Sequence, residues 1–310
     1  MVYTVTFNPA VDYIVHTKQL TPGATNRSDS EEIYFGGKGI NVSIVLSELG
    51  MKSKALGFVA GFTGEAIEKG VTEKGIDADF VHLTEGFSRI NVKIKSGEET
   101  ELNGQGPRIP DEAVEQLFTK LDELKDGDTL VLAGSIPSSL PSDIYERILA
   151  RLDGRNIRTV VDATKDLLVK VLKYKPFLIK PNNFELGEIF GVELRNTDEI
   201  IEYAGKLREM GARNVLISMA GDGAVLLDET GKTHVCGVCR GTVKNSVGAG
   251  DSMVAGFIAG CERVDYEYAL KLGTAAGEKP HHVLRMHVYV AAVYGGHPET
   301  MLGKLPGQRV

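Results

Sequence analysis

The sequence predicts an α/β fold, a doubly wound and mostly parallel sheet flanked by helices, and three observations carry the prediction. Short apolar runs alternate with amphipathic stretches almost from end to end, the pattern of strands and crossover helices. The residues just after the strand candidates are polar and glycine-rich, as expected where ligands gather beyond the carboxyl ends of parallel strands. One segment breaks the alternation with a strict period of two, which marks a small separate β-sheet.

In chain order the strand candidates are residues 2–7, 55–59, 129–133, 158–162, 177–180 and 214–218. The helix candidates between them are 40–49, 64–74, 111–124, 141–152, 183–190 and 197–210. Beyond the strand ends stand Asn8 and Asp12, Gly134 and Ser135, Asp162, Asn182, and Ser218 with Gly221. A phosphate or sugar site needs that chemistry.

The exception is Ser88-Arg-Ile-Asn-Val-Lys-Ile-Lys95, followed by a turn at Gly97 and a second extended run over 100–103. Its alternation puts Arg89, Asn91, Lys93 and Lys95 on one face and Ile90, Val92 and Ile94 on the other. The charged face reads most simply as the solvated side of an edge strand. The apolar face needs cover, from the main domain or from another subunit.

Composition narrows the class. A chain of 310 residues with 42% hydrophobic and 25% charged residues buries about three quarters of its unfolded surface, which excludes a disulfide-stapled miniprotein. Thirty-five Lys and Arg against 42 Asp and Glu give a net charge of -7 without a dense basic block, so general nucleic-acid binding is not expected. An anionic partner has to be met by local positive charge. Three cysteines and a first segment lacking a basic start before a long apolar run fit a reduced cytoplasm. No apolar stretch approaches the roughly 20 residues that span a bilayer.

Three motifs carry chemistry. In Asn245-Ser-Val-Gly-Ala-Gly-Asp251 the small residues Gly248, Ala249 and Gly250 run into an apolar helix, so backbone N–H groups and the helix dipole converge where an anion should sit. Asp251 at the helix entrance is either a cap or a base that takes a proton from a hydroxyl attacking a phosphoryl group. Phe35-Gly-Gly-Lys-Gly-Ile-Asn41 also leads into a helix; its glycines admit close backbone approach, and Asn41 offers donor and acceptor to a sugar hydroxyl. It is neither a Walker A loop nor a dinucleotide fingerprint. In Lys180-Pro-Asn-Asn-Phe-Glu185, Asn182 and Glu185 share a face of the first helical turn, and they either hold a magnesium ion near phosphates or form a capping box. Cys236-Gly-Val-Cys239 has only His234 and Cys261 as further ligand candidates and reads as ordinary thiols.

These motifs, in this order and at these separations, resemble the ribokinase-like PfkB sugar kinases over about residues 1–276. Within the family, residues 6–12, 89–93, 103–107 and 133–137 are most similar to the branch acting on fructose 1-phosphate, and the branch acting on tagatose 6-phosphate shares most of them. The resemblance implies ATP- and Mg2+-dependent phosphorylation of fructose 1-phosphate at C6 to fructose 1,6-bisphosphate. It implies Asp251 as catalytic base, Gly248, Ala249 and Gly250 as anion hole, and Asp12, Gly37 and Asn41 on the sugar hydroxyls. Arg27, Lys38 and Arg89, with Ser135, are then the candidates for the substrate phosphate. Asn182 and Glu185 match a motif tied to magnesium and phosphate, and Ser218, Gly221 and Gly223 match the nucleotide-side loop.

The same resemblance implies a single domain over 1–310 with a β lid from about 12–35 and 88–105, and a homodimer formed through that lid. Residues 277–310 depart from it. Four of the seven histidines fall there, and the chain turns to Glu-Lys-Pro-His-His where relatives continue with small residues and a helix. The expectation is a shifted reading frame beginning near Gly277. An altered tail that disables the nucleotide site carries the alternative of a non-catalytic sugar-phosphate or nucleotide-binding protein.

Overall fold

In the computed structural model, which describes residues 1–238 and 248–278, the predicted alternation becomes one ten-stranded sheet with helices on both faces. The chain enters it with β1 (Val2–Thr6), leaves for β2 (Ala10–His16) and β3 (Ser30–Gly36), and returns through α1 (Lys38–Glu48). Next come β4 (Ser53–Ala60), α2 (Gly61–Glu73), β5 (Asp77–Ala78) and β6 (Val81–Leu83), then a second excursion in β7 (Arg89–Ser96) and β8 (Glu98–Asn103). After α3 (Asp111–Asp122) follow β9 (Thr129–Ala133), α4 (Ile144–Leu152), β10 (Arg158–Asp162), α5 (Lys165–Val171), β11 (Leu178–Ile179) and α6 (Asn183–Phe190). The last described elements are α7 (Thr197–Glu209), β12 (Asn214–Ser218), β13 (Ala224–Leu227), β14 (Thr233–Cys236), α8 (Ala249–Cys261) and α9 (Tyr266–Glu278).

The strand order is β14-β13-β12-β11-β10-β9-β1-β4-β5, with β6 also on β4, and only β13 and β14 run antiparallel to their neighbours. The order reverses at β1, whose neighbours are β4 on one side and β9 on the other. A crevice therefore opens beyond the carboxyl ends of β1 and β9. Both faces of β9 are buried: Leu130 and Leu132 pack with Leu117 of α3 and Ile148 of α4, while Val131 packs with Val42 of α1 and Val254 of α8. Strands covered on both sides read as unbroken apolar runs, and this is why they were legible.

The Gly-Gly-Lys-Gly run is shaped by the end of β1. Gly37 has φ +130, and a Cβ there would stand 2.5 Å from Thr6 Cγ2. No other residue lets α1 start so close to the strand. Thr6 Oγ1 accepts the N–H of Ile40 at 3.0 Å and so holds the first turn of α1 against β1.

The two excursions form a separate sheet of order β3-β2-β7-β8. Two expectations about it need correction. Strand β7 is interior, paired to β2 and β8, rather than an edge. Its polar face is the covered one, since Asn91 and Lys93 are buried, while Ile33 on β3 and Leu102 on β8 are 59% and 72% exposed on the apolar side. The alternation was right and its polarity inverted: the polar side looks toward the crevice.

Thr6→Val keeps the shape of Thr6 and removes the acceptor for Ile40. The expected result in urea unfolding is a loss of about 1–2 kcal/mol with an unchanged m-value.

Candidate active site

Helix α8 is capped at its start by Gly248, in the left-handed region at φ +78. The N–H groups of Ala249, Gly250 and Asp251 in its first turn have no acceptor within the helix and share the positive end of its dipole. Asn245, Ser246 and Val247 lie outside the described residues. Asp251 is only 5% exposed, and its Oδ2 accepts a hydrogen bond from Asn41 Nδ2 at 2.8 Å. Packing of α1 on α8 thus joins the two glycine-rich motifs across 210 residues. Burial and the nearby Asp162 carboxylate push the Asp251 carboxyl up to about 7, against the pull of Asn41, Lys38 and Lys180. A carboxyl group poised near neutral pH beside the first-turn amides of a helix is equipped to take a proton while an anion is held next to it.

Beneath this turn lie Asp162, expected at a strand end without a role of its own, and Lys180, which the sequence does not single out. Asp162, at the end of β10, meets Lys180 Nζ with Oδ1 and Lys38 Nζ with Oδ2, each at 3.4 Å. Lys180 sits against the helix start, since a Cβ on Gly250 would stand 3.0 Å from its Nζ. Burial works against the charge on Lys38, but Asp162 and Asp251 outweigh it and raise the ammonium's proton affinity. The usable signal was positional: Asp162 ends a central strand, and Lys180 precedes the Pro-Asn-Asn turn.

On the lid side, Asp12 Oδ1 accepts from Asn91 Nδ2 at 2.9 Å. The sequence places Asn91 on a charged face and within the 89–93 motif, with no role of its own. Arg89 Nε donates to the Asn8 carbonyl at 3.0 Å, and Asn8 Nδ2 donates to the Gln105 carbonyl at 2.8 Å, so segments 6–12, 89–93 and 103–107 meet. Burial lowers the proton affinity of Arg89, which stays cationic. Asp12, Asn41 and Gly248 line a cavity of about 790 Å³ that runs beneath the lid to Lys93 and Lys95. Ser135 is exposed just after Gly134, where a Cβ would stand 3.8 Å from Lys38 Cβ. Arg27 is not gathered with these groups: it stands exposed in the loop between β2 and β3. A clamp of three cations within one copy of the chain is not what the fold assembles.

Residues 5–279 match the model of the pfkB family carbohydrate kinases. The chain belongs to this family. It is 49% identical over 278 residues to the 1-phosphofructokinase of Bacillus subtilis, covering 89% of this chain and 91% of that one. It is 37% identical over 282 residues to the D-tagatose-1-phosphate kinase of Bacillus licheniformis, covering 89% and 91%. A crystal structure from Staphylococcus aureus superposes with a TM-score of 0.80 at 40% identity, covering 89% of this chain and 90% of that one.

On the other side of the crevice, the kinase forms the capping box. Asn182 Oδ1 accepts from the Glu185 N–H, and Glu185 Oε2 accepts from the Asn182 N–H, both at 2.8 Å. Asn182 pairs with Ser218 across adjacent strand ends, and Gly221 and Gly223 lie in the turn that follows. The box leaves Glu185 Oε1 without a partner in it, and no group of three His, Cys, Asp or Glu that could hold a metal occurs among the described residues. That donor set suits magnesium, which keeps several waters and takes most other ligands from substrate phosphates. It does not suit a protein-caged ion. Of the ligand candidates around the cysteine motif, His234 is engaged by Asp228 at 2.8 Å and Cys236 Sγ donates to the Gly237 carbonyl at 3.4 Å, while Cys239 lies outside the described residues. No helix among the described residues is long and apolar enough to cross a membrane.

The raised proton affinity of Asp251 has a stability consequence. An unfolded aspartate ionises near 3.9, whereas the folded one holds its proton to about 7. Folding is therefore penalised progressively as pH rises between these values, and fully above them. The Tm gain of Asp251→Asn over the parent kinase is expected to be larger at pH 8 than at pH 4 in thermal melts.

Proposed function

We propose that this kinase transfers the γ-phosphoryl group of ATP to the C6 hydroxyl of fructose 1-phosphate, giving fructose 1,6-bisphosphate and ADP. The observation that carries the reading is the juxtaposition of the Asp251 carboxyl, the first-turn amides of residues 249–251 and the side chain of Asn41 in one buried corner. In this reading Asp12, Gly37 and Asn41 hold the sugar hydroxyls. Asp251 accepts the C6 proton as the oxygen forms its bond to the γ-phosphorus and the bond to the ADP oxygen breaks. The amides of Gly248, Ala249 and Gly250 face the charge gathering on the migrating group.

The substrate phosphate falls to Lys38, Arg89 and Ser135, while Arg27 stands apart in its exposed loop. Ser218, Gly221 and Gly223 serve the nucleotide side. Mg2+, when bound, neutralises charge on the ATP phosphates, with Asn182 and Glu185 as its protein contacts, directly or through water. The similarity to a tagatose-1-phosphate kinase supports a second reading on the C4 epimer of the same sugar, with the same phosphate position and the same base.

The lid also supports a homodimer. Ile33 and Leu102, with Tyr13 and Val92 in register between them, present an apolar strip that one copy leaves open. Partner lids packed on this strip remove it from water.

Two measurements test the proposal. In a coupled assay with ATP, turnover on fructose 1-phosphate is expected to exceed that on tagatose 1-phosphate, and Asp251→Asn to lower kcat about 10³-fold with KM changed only a few-fold. Near-parental kcat in that variant removes Asp251 from the mechanism. In light scattering, Leu102→Asp is expected to halve the mass of the assembly; an unchanged mass places the interface elsewhere.

A further inference from the structure

Asp162 is unusual among the charged groups of the crevice. It is 4% exposed, and among the described residues its carboxylate has only two close partners, both ammonium groups. Those partners belong to different halves of the site. Lys38 comes from the Gly-Gly-Lys-Gly turn beside Gly134, and Lys180 from the exit of β11 against Gly250.

We infer that Asp162 is a positioning residue for phosphoryl transfer, its single carboxylate holding Lys38 on the acceptor side and Lys180 on the donor side. The inference rests on the reading of Asp251 as the base. At 3.4 Å both contacts are longer than a tight charge-assisted bond. Each ammonium carries three N–H donors, so each keeps donors for an incoming anion while its position is fixed. One negative charge against two positive ones leaves a surplus of positive charge at the mouth of the anion-binding turn.

The same carboxylate acts on the base through space. Asp251 is faced by Lys38 and Asn41 from α1, by Asp162 from β10 and by Lys180 from the exit of β11. Of these, Asp162 alone favours the protonated form, so it makes Asp251 a stronger proton acceptor. A side chain that only filled space would affect stability and leave the pH profile where it was.

The test uses the full chain with ATP and fructose 1-phosphate, and compares Asp162→Asn with Asp162→Glu across pH. Asp162→Asn is expected to lower kcat at least about tenfold, to raise KM for both substrates, and to move the acid limb of kcat/KM to lower pH by roughly one unit. Asp162→Glu keeps the charge but displaces it, so the limb is expected to stay while kcat still falls. An unmoved limb in Asp162→Asn, or parental kinetics in Asp162→Glu, overturns the inference. If Asp162→Asn does not fold, because it strands the buried Lys180 charge, Asp162→Glu alone decides in the same terms. Failure of the base reading shows separately, as full turnover by Asp251→Asn; with that variant inactive, an unmoved limb counts against Asp162 alone.

Discussion

The site depends on a carboxylate kept out of water at the start of a helix. Removing Asp251 from solvent disfavours its ionised form, and the surroundings neither restore it fully nor abolish it. Asn41 gives it one hydrogen bond, Lys38 and Lys180 attract it, and Asp162 opposes them. The group is left near the middle of its titration at neutral pH. That balance needs α1 and α8 in contact, and the need reaches back into the sequence. Helix α8 is apolar and buried from Met253 to Gly260, because one side meets α1 and another meets α9. Gly256 and Gly260 lie against α9 where a Cβ would stand within 3 Å of its backbone. The packing of three helices thus aims one side chain.

The lid solves a different problem with the opposite arrangement. A sheet of four strands standing off the main domain would ordinarily turn its apolar side inward. Here the inward side carries Asp12, Asn91 and Lys93, because it roofs a cavity and not a core. The apolar side is left over. An exposed strip of this kind is a liability in an isolated sheet, and a second lid is the simplest cover with the same shape and polarity. The proposed sugar recognition inside and the proposed association outside both draw on one alternation along β7.

Much of this was legible in the sequence, for identifiable reasons. The six predicted strands were found because parallel strands buried on both faces read as unbroken apolar runs, and the hairpin because its period was two over eight residues. Helix α5 was missed because it has only seven residues, and β13 and β14 because they follow β12 through short turns, outside the alternation of strand and helix. Asp251, Asn41 and the glycines stood out as candidates because a loop that must approach a ligand can use few other residues. Asp162 stood only as one polar residue at a strand end and Lys180 had no assignment, because a single acid there and a single lysine before a proline have many ordinary uses. Only the fold makes them neighbours. The direction in which the hairpin faced was equally hidden, since alternation gives two faces without saying which one meets solvent.

The charge of the chain poses the remaining question, how a protein of net charge -7 receives an anionic sugar beside an anionic nucleotide. Net charge governs the field at a distance, and salt screens that field within about 10 Å. What an arriving phosphate meets is the local sum. In the crevice that sum is Lys38 and Lys180 against Asp162, the helix amides at Gly248 to Asp251, and Arg89 at the root of the lid. Asp251 subtracts least from it when protonated, a state that its burial makes accessible near neutral pH. Burial therefore serves both steps of the proposed reaction. It lets the anions approach without full repulsion from the base, and it makes that base hold firmly the proton it removes.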